Sequence, residues 1–312
     1  LVILSLSLLL SGLVALTLGA DRFVLAAARL SRAWGLSPVL IGALVVGLGT
    51  SAPELLVTIF SAARGEVDIA LGNVVGSNVA NVTLVLGATA LVAPISSRVR
   101  TIRREGFVMS AGLVLLTVFL WDLGIVAWEG LVLVGSMLLA SLLLVWWARG
   151  DARAGRLPYG RDNAWSGSVG RESLLGLGTL ILTLVGADLL VRGASRLATE
   201  LGISTAFVGL VIVAVGTSLP ELATALAAAR RSEPDLVLGN VLGSNLFNSL
   251  AVAGIAGLIG PGEIDAAFRN ALGFMIFSGL LAGGFALTYR RIERWEGAVL
   301  LAVFLGFVAV AA

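Results

Sequence analysis

GTSAPE at residues 49–54 recurs as GTSLPE at 216–221, and LGNVVGSNVAN at 71–81 recurs as LGNVLGSNLFN at 238–248. Both pairs are offset by 167 residues, and the same offset carries Gly19-Ala20-Asp21 onto Gly186-Ala187-Asp188. Two copies in register imply duplication of one unit. Each copy places a single carboxylate, Glu54 or Glu221, inside an otherwise apolar stretch. An ionisable group at membrane depth is costly enough to point to function.

The surrounding composition supplies the membrane. Of 312 residues, 58% are hydrophobic and 13% charged, about half the charged fraction of a soluble domain. Mean hydropathy is +1.02. The chain has no Cys and no His, and all its 21 basic residues are Arg. Thiol chemistry, structural zinc and histidine proton relays are thereby excluded.

Apolar runs of spanning length, roughly 20 residues each, predict ten membrane helices: 2–30, 38–64, 69–93, 104–121, 125–148, 171–198, 204–230, 235–259, 267–289 and 295–312. The first reads as a membrane helix and not as a secretory leader, because its Gly-Ala-Asp end recurs at 186–188. The Arg-, Gly- and Asp-rich stretch 149–171 reads as an exposed linker. It divides a first five-helix repeat, residues 1–148, from a second, residues 172–312. An odd number of spans per copy makes the second enter from the opposite side. The expected fold is thus an all-α membrane protein of two inverted five-helix repeats, with the site near the midplane between them.

Arginine placement orients it. Alternate loops hold Arg29 and Arg32; Arg98, Arg100, Arg103 and Arg104; Arg149, Arg153, Arg156, Arg161 and Arg171; Arg230 and Arg231; Arg290, Arg291 and Arg294. The opposite loops hold Arg64, Arg192, Arg196 and Arg269. The positive-inside rule makes the first set cytoplasmic and both termini extracytoplasmic.

Pro53 and Pro220 lack an amide hydrogen and clash with the preceding turn, so each should break its helix. Beside the first break stand Thr50, Ser51 and Glu54; beside the second, Thr217, Ser218 and Glu221. Carbonyls of Gly47 and Ala214 are expected to be freed there. Asn73, Ser77 and Asn81, and likewise Asn240, Ser244 and Asn248, recur every fourth residue and line one helix face. For Asn73 and Asn240, interhelical bonding and a direct ion role are both open. The Gly72/Gly76 and Gly239/Gly243 spacings read as packing motifs. Asp21 and Asp188 are expected to pair with Arg22 or Arg192, and Glu129 to be solvated at a loop edge. Thr58, Thr83, Thr89 and Thr224 are expected to bond back to their own helices.

Two carboxylates, amide oxygens, hydroxyls and carbonyls are all hard oxygen donors, suited to Na⁺, Ca²⁺ or Mg²⁺ rather than to zinc or copper. Ionised Glu54 and Glu221 carry −2, which one Ca²⁺ neutralises. Several Na⁺ could occupy the same oxygens, and competition at one site between inverted halves is what an antiporter requires.

The doubled motifs resemble the two alpha repeats of the prokaryotic sodium/calcium exchangers in the cation/calcium antiporter superfamily. That resemblance implies secondary active exchange of Na⁺ for Ca²⁺ by alternating access. It implies Ca²⁺ held by Glu54 and Glu221 with backbone oxygens near Thr50 and Thr217. It implies Na⁺ sites built from Thr50, Ser51, Glu221, Ser244 and the Gly47 carbonyl, and from Thr217, Ser218, Glu54, Ser77 and the Ala214 carbonyl, with Asn81 and Asn248 between them. It implies three Na⁺ per Ca²⁺, hence an electrogenic cycle.

Asn248 stands where potassium-dependent relatives are among those with Asp, and Ser77 and Ser244 stand in the motif where proton-coupled relatives carry acids. These departures favour Na⁺. The alternatives are an H⁺/Ca²⁺ antiporter and a passive cation channel. A channel would need an open axial pore and usually a symmetric oligomer. No organic cofactor, nucleic acid or enzymatic activity is expected. The expected setting is the bilayer of a prokaryotic inner membrane, with the chain acting as a monomer.

Overall fold

The computed structural model describes residues 2–96, 99–154, 167–201, 214–266, 268–288 and 291–311. These residues are overwhelmingly helical. In chain order the helices are α1 (Val2–Trp34), α2 (Pro38–Thr50), α3 (Ala52–Ala63), α4 (Val67–Val92), α5 (Val99–Phe119) and α6 (Ala127–Arg153). They continue with α7 (Val169–Glu200), α8 (Ala214–Thr217), α9 (Leu219–Arg230), α10 (Pro234–Ile259), α11 (Phe268–Thr288) and α12 (Arg294–Ala311). Six of these, α1, α4, α6, α7, α10 and α11, are long and apolar enough to cross a bilayer, and the bent pair α2–α3 makes a seventh. Residues 204–213 of the seventh predicted span lie outside the described residues, as does most of the 149–171 linker.

Local chemistry sets the ends. At the close of α1, Gly35 takes φ +60 while the Leu36 amide donates to Ser31 O at 3.0 Å, the glycine-terminated wrap expected of a helix end. Ser37 then caps α2, accepting from the Leu40 amide at 3.2 Å, with Pro38 next, where its missing N–H costs nothing. Glu129 is no solvated loop residue. It is only 8% exposed, and its carboxylate accepts from the Val126 amide at 2.9 Å. Glu296, 167 residues on, accepts from the Glu293 amide at 2.8 Å. Both are third-position acids reaching back over a helix start.

The helices that carry the polar stripes form the centre. Within the apolar windows of α4 and α10, 78% and 72% of residues are buried, against 28% for α1 and 22% for α7. Small residues let α2 and α10 meet backbone to backbone. A Cβ on Gly42 would stand 2.8 Å from Gly239 Cα, and one on Gly47 2.8 Å from the Ser244 amide nitrogen. The Gly239/Gly243 spacing is therefore a packing device, as expected. Among the described residues, a Cβ on Gly72 would meet only the Phe268 ring, at 3.6 Å, and one on Gly76 would meet nothing within 4 Å.

At the periphery α1 and α7 pack antiparallel through Gly12, Gly19, Gly186 and Gly193. Gly193 lies against Ser5 and Leu9, Gly12 against Gly186 and Leu190, and Gly19 against Thr183. Arg29 closes the pair on Glu172 at 3.0 Å.

Two short strand pairs tie loops together. β1 (Ile95–Ser96) pairs antiparallel with β4 (Arg291–Ile292), and β2 (Gly124–Ile125) with β3 (Gly262–Glu263). The 167-residue offset carries β1 onto β3 and β2 onto β4. The β1–β4 pair joins two of the arginine-rich loops, and Arg32 meets Glu233 between two more at 2.7 Å. Burial pushes the Glu233 carboxyl above its ordinary value, and the Arg32 guanidinium opposes that shift. The β2–β3 pair joins loops of the other set, where the Asp265 amide also donates to Asp68 at 2.8 Å.

One pairing differs from expectation. Asp21 binds Arg231 in a two-point contact, Nε to Oδ1 at 2.8 Å and Nη2 to Oδ2 at 2.7 Å, while Arg22 stands 4.0 Å away. A partner 210 residues distant is a tertiary fact that spacing along one helix does not carry. Asp188 does pair with Arg192, at 2.7 Å.

Candidate functional site

Between α2 and α3 the chain bends by 46°. Ser51 sits at the bend with φ −80 and ψ 12, and Ser218 between α8 and α9 with φ −86 and ψ 4. Pro53 and Pro220 follow within the first turn of the next helix, so each proline restarts a helix as well as interrupting one. Glu54 and Glu221 then fall in that same first turn, where the exposed N–H groups and the helix dipole favour negative charge. Both carboxylates are 0% exposed.

The second element of each set is a widened turn. α4 holds a π-helical segment over Asn81–Val85, and α10 one over Asn248–Val252. Both begin at the central asparagine, and such insertions concentrate at functional sites. A third precedes the bend in α2, over Gly42–Gly47.

These elements bring Glu54 and Glu221 within electrostatic reach of each other. Ser77 and Ser218 face the Glu54 carboxyl, while Ser51, Thr50 and Ser244 face that of Glu221. Ser51 Oγ donates to Glu221 Oε1 at 2.8 Å. Thr50, Ser51, Ser77, Asn81, Ser218, Ser244 and Asn248 are all buried, and Thr217 nearly so at 9% exposure. The Gly47 carbonyl is not freed as expected: it accepts from the Ser51 amide at 3.1 Å and from Ser244 Oγ at 3.2 Å. Ala214 opens α8, and the preceding residues lie outside the described set.

What the cluster lacks is as telling as what it holds. Among the described residues, eight of its buried polar atoms have no hydrogen-bond partner. They are both carboxylate oxygens of Glu54, Glu221 Oε2, Ser218 Oγ, and both amide atoms of Asn81 and of Asn248. Buried polar groups are ordinarily satisfied. A concentration of orphaned oxygens around two carboxylates has the chemistry that suits a hard cation.

Asn73 and Asn240 act on the backbone. Asn73 Nδ2 donates to Glu54 O at 3.0 Å and to Thr58 Oγ1 at 3.1 Å. Asn240 Nδ2 donates to Glu221 O at 3.1 Å and to Thr224 Oγ1 at 3.2 Å. Thr58 lies four residues after its glutamate and Thr224 three after its own, so the same bond is made from different registers. Thr83 and Thr224 bond back to their own helices as expected, but Thr58 donates to Ala70 O and Thr89 Oγ1 is unpartnered among the described residues. Losing one amide leaves a buried carbonyl and hydroxyl exposed to mismatch, roughly 1–3 kcal/mol. We expect Asn240→Ala and Asn73→Ala each to raise the half-saturating concentration of the bound cation about tenfold without unfolding the protein, measured by titration in reconstituted vesicles.

A second polar cluster lies on the neighbouring face, built on Asn78 and Asn245, which the repeated motifs contain at the same 167-residue offset. Asn78 Nδ2 donates to Ser249 Oγ at 2.9 Å and Asn245 Nδ2 to Asn78 O at 3.4 Å, joining α4 to α10.

Comparison with known proteins agrees with this geometry. The family described as "Sodium/calcium exchanger protein" matches residues 4–147 and 173–312. The putative antiporter CaxA of Alkalimonas amylolytica is 39% identical over 95% of each chain. The sodium/calcium exchanger MaX1 of Methanosarcina acetivorans is 32% identical over 97% of each. A solved structure of the sodium-calcium exchanger NCX_Mj, soaked with 10 mM Na⁺ and zero Ca²⁺, superposes with a TM-score of 0.86 at 32% identity over 99% of each chain.

Proposed function

Because the chain belongs to the sodium/calcium exchanger protein family, we propose that it is a secondary active antiporter that drives Ca²⁺ across the membrane against Na⁺. The observation that carries this reading is the set of orphaned buried oxygens around Glu54 and Glu221. The two carboxylates bind one Ca²⁺ and neutralise it, aided by oxygens near Thr50 and Thr217. Na⁺ ions occupy Thr50, Ser51, Glu221, Ser244 and the Gly47 carbonyl on one side, and Thr217, Ser218, Glu54, Ser77 and the Ala214 carbonyl on the other. To accept an ion, the Gly47 carbonyl must be released by Ser244. Asn81 and Asn248 bound the centre.

In this reading the halves, residues 1–148 and 172–312, are inverted five-span repeats joined by the 149–171 linker. The antiparallel packing of α1 on α7 and the exchange of β1–β4 for β3–β2 under one offset support that arrangement. The arginine-rich loops face the cytoplasm and both termini face away from it, in the inner membrane of a prokaryote. The protein works as a monomer and catalyses no covalent chemistry.

The test is radiolabelled Ca²⁺ uptake into proteoliposomes loaded with Na⁺. Uptake should require the Na⁺ gradient; uptake driven equally by a pH gradient alone would support the proton-coupled alternative. Linear, non-saturating flux without a counter-ion would support a channel. If three Na⁺ leave for each Ca²⁺ that enters, one net positive charge moves outward. An inside-positive potential then accelerates uptake and an inside-negative one slows it, with about 2.3 kcal/mol of driving force per 100 mV. Rates indifferent to voltage would contradict the electrogenic cycle.

A further inference from the structure

A cleft of ≈ 640 Å³ opens where α5 begins and α6 ends, lined by Arg104 from α5 and by residues of α6 from Leu142 to Ala154. Its size suits a small ligand or a headgroup. On α6, Leu142, Trp146, Arg149 and Arg153 follow one another at spacings of four, three and four, so they share one helix face. That face passes from aliphatic to aromatic to cationic along the helix axis. Trp146 is 68% exposed, which on a membrane helix places its ring in the interfacial belt. Arg149 and Arg153 are exposed one and two turns beyond it.

The opposite wall is fixed. Arg104 Nη1 contacts Asp151 Oδ2 at 2.8 Å, and its guanidinium carbon lies 4.4 Å over the Trp147 ring. Such stacking holds an arginine in place while leaving some of its donors available. Among the described lining residues, three guanidinium groups against one carboxylate make the cleft cationic. An apolar floor beneath a cationic mouth at interfacial depth matches an amphiphile with a negative head better than it matches a free ion.

We propose that this cleft binds an anionic glycerophospholipid, its phosphate on Arg149 and Arg153 and an acyl chain along Leu142 and Val145. The inference does not depend on what the central site transports. A basic pocket between membrane helices is a recognised form of headgroup recognition, and each arginine near such a headgroup contributes roughly fivefold in affinity.

The full chain in detergent is titrated with phosphatidylglycerol, with phosphatidylcholine and with inorganic phosphate, and bound species are counted by native mass spectrometry. The expected result is one phosphatidylglycerol retained about 25-fold less tightly by Arg149→Gln/Arg153→Gln than by the unaltered protein. Arg64→Gln, an exposed arginine on the other set of loops, should retain it fully. Phosphatidylcholine should bind the unaltered and doubly substituted proteins alike, and inorganic phosphate should not displace phosphatidylglycerol. Both substituted arginines are exposed, so folding should be unaffected, and an unchanged thermal midpoint checks this. Equal retention of the two lipids, full retention by the double variant, or displacement by inorganic phosphate would each overturn the proposal.

Discussion

Glu54→Gln lowers Na⁺-driven Ca²⁺ uptake at least about a hundredfold, and Glu221→Gln does the same. Glutamine keeps the shape of the side chain and removes its charge, so the variants should extract and run as the unaltered protein does. The charge matters because nothing else in the cluster can replace it. Both Glu54 oxygens and one Glu221 oxygen have no partner among the described residues, and the remaining donors are neutral hydroxyls and amides. A divalent ion facing a single carboxylate is left half compensated in a buried site. Stripping one charge from a buried pair typically costs 3–5 kcal/mol, and each 1.4 kcal/mol is tenfold. Proteoliposome flux measured side by side decides the matter: if both variants transport at the normal rate, the cation site lies elsewhere.

The second large effect comes from a residue that binds nothing. Gly243→Ala should cost about 3 kcal/mol of stability and abolish transport. Its new Cβ would collide with Ala43, whose carbonyl carbon would lie 2.7 Å away and whose Cα and oxygen closer still. Overpacking a well-filled interior costs typically 1–3 kcal/mol, and here the neighbour is backbone, which cannot rotate aside. Relief requires α10 to withdraw from α2, which pulls Ser244 from the Gly47 carbonyl. Gly284→Ala is the control, since a Cβ there meets nothing and the residue is exposed. Thermal midpoints and uptake should fall for the first variant and hold for the second. Equal behaviour of the two would mean that the close contact between α2 and α10 is dispensable.

The candidate cluster was legible in the sequence because its residues are written twice. Two prolines beside two glutamates, each flanked by hydroxyls, foretold both the bends and the acids they present. Polar residues every fourth position along apolar helices foretold which faces turn inward. Other features have no local signature. Asn-Val-Thr-Leu-Val at 81–85 reads as ordinary helix, and only tertiary packing reveals that its turn is widened. Asp21 finds Arg231 across the bundle, and Gly47 gives its carbonyl to Ser244, because folding sets these distances and spacing does not. Asn73 and Asn240 lay on the predicted stripe, but their hold on the glutamate backbones emerges only once α4 and α10 are placed against α3 and α9. Glu129 reads as a loop-edge acid, yet it stands at the third position of α6 and caps the Val126 amide, a contact that needs the helix start in place.

The widened turns at Asn81 and Asn248 carry a historical implication. An inserted residue acquired independently by each half would have no reason to fall at the same offset, on the same asparagine, in both. The distortion is therefore older than the joining of the halves and was inherited from a forebear half this size. On the proposed reading of the site, each such half brings one buried carboxylate to the centre, so two molecules of the forebear had to meet in opposite orientations before either could hold a divalent guest.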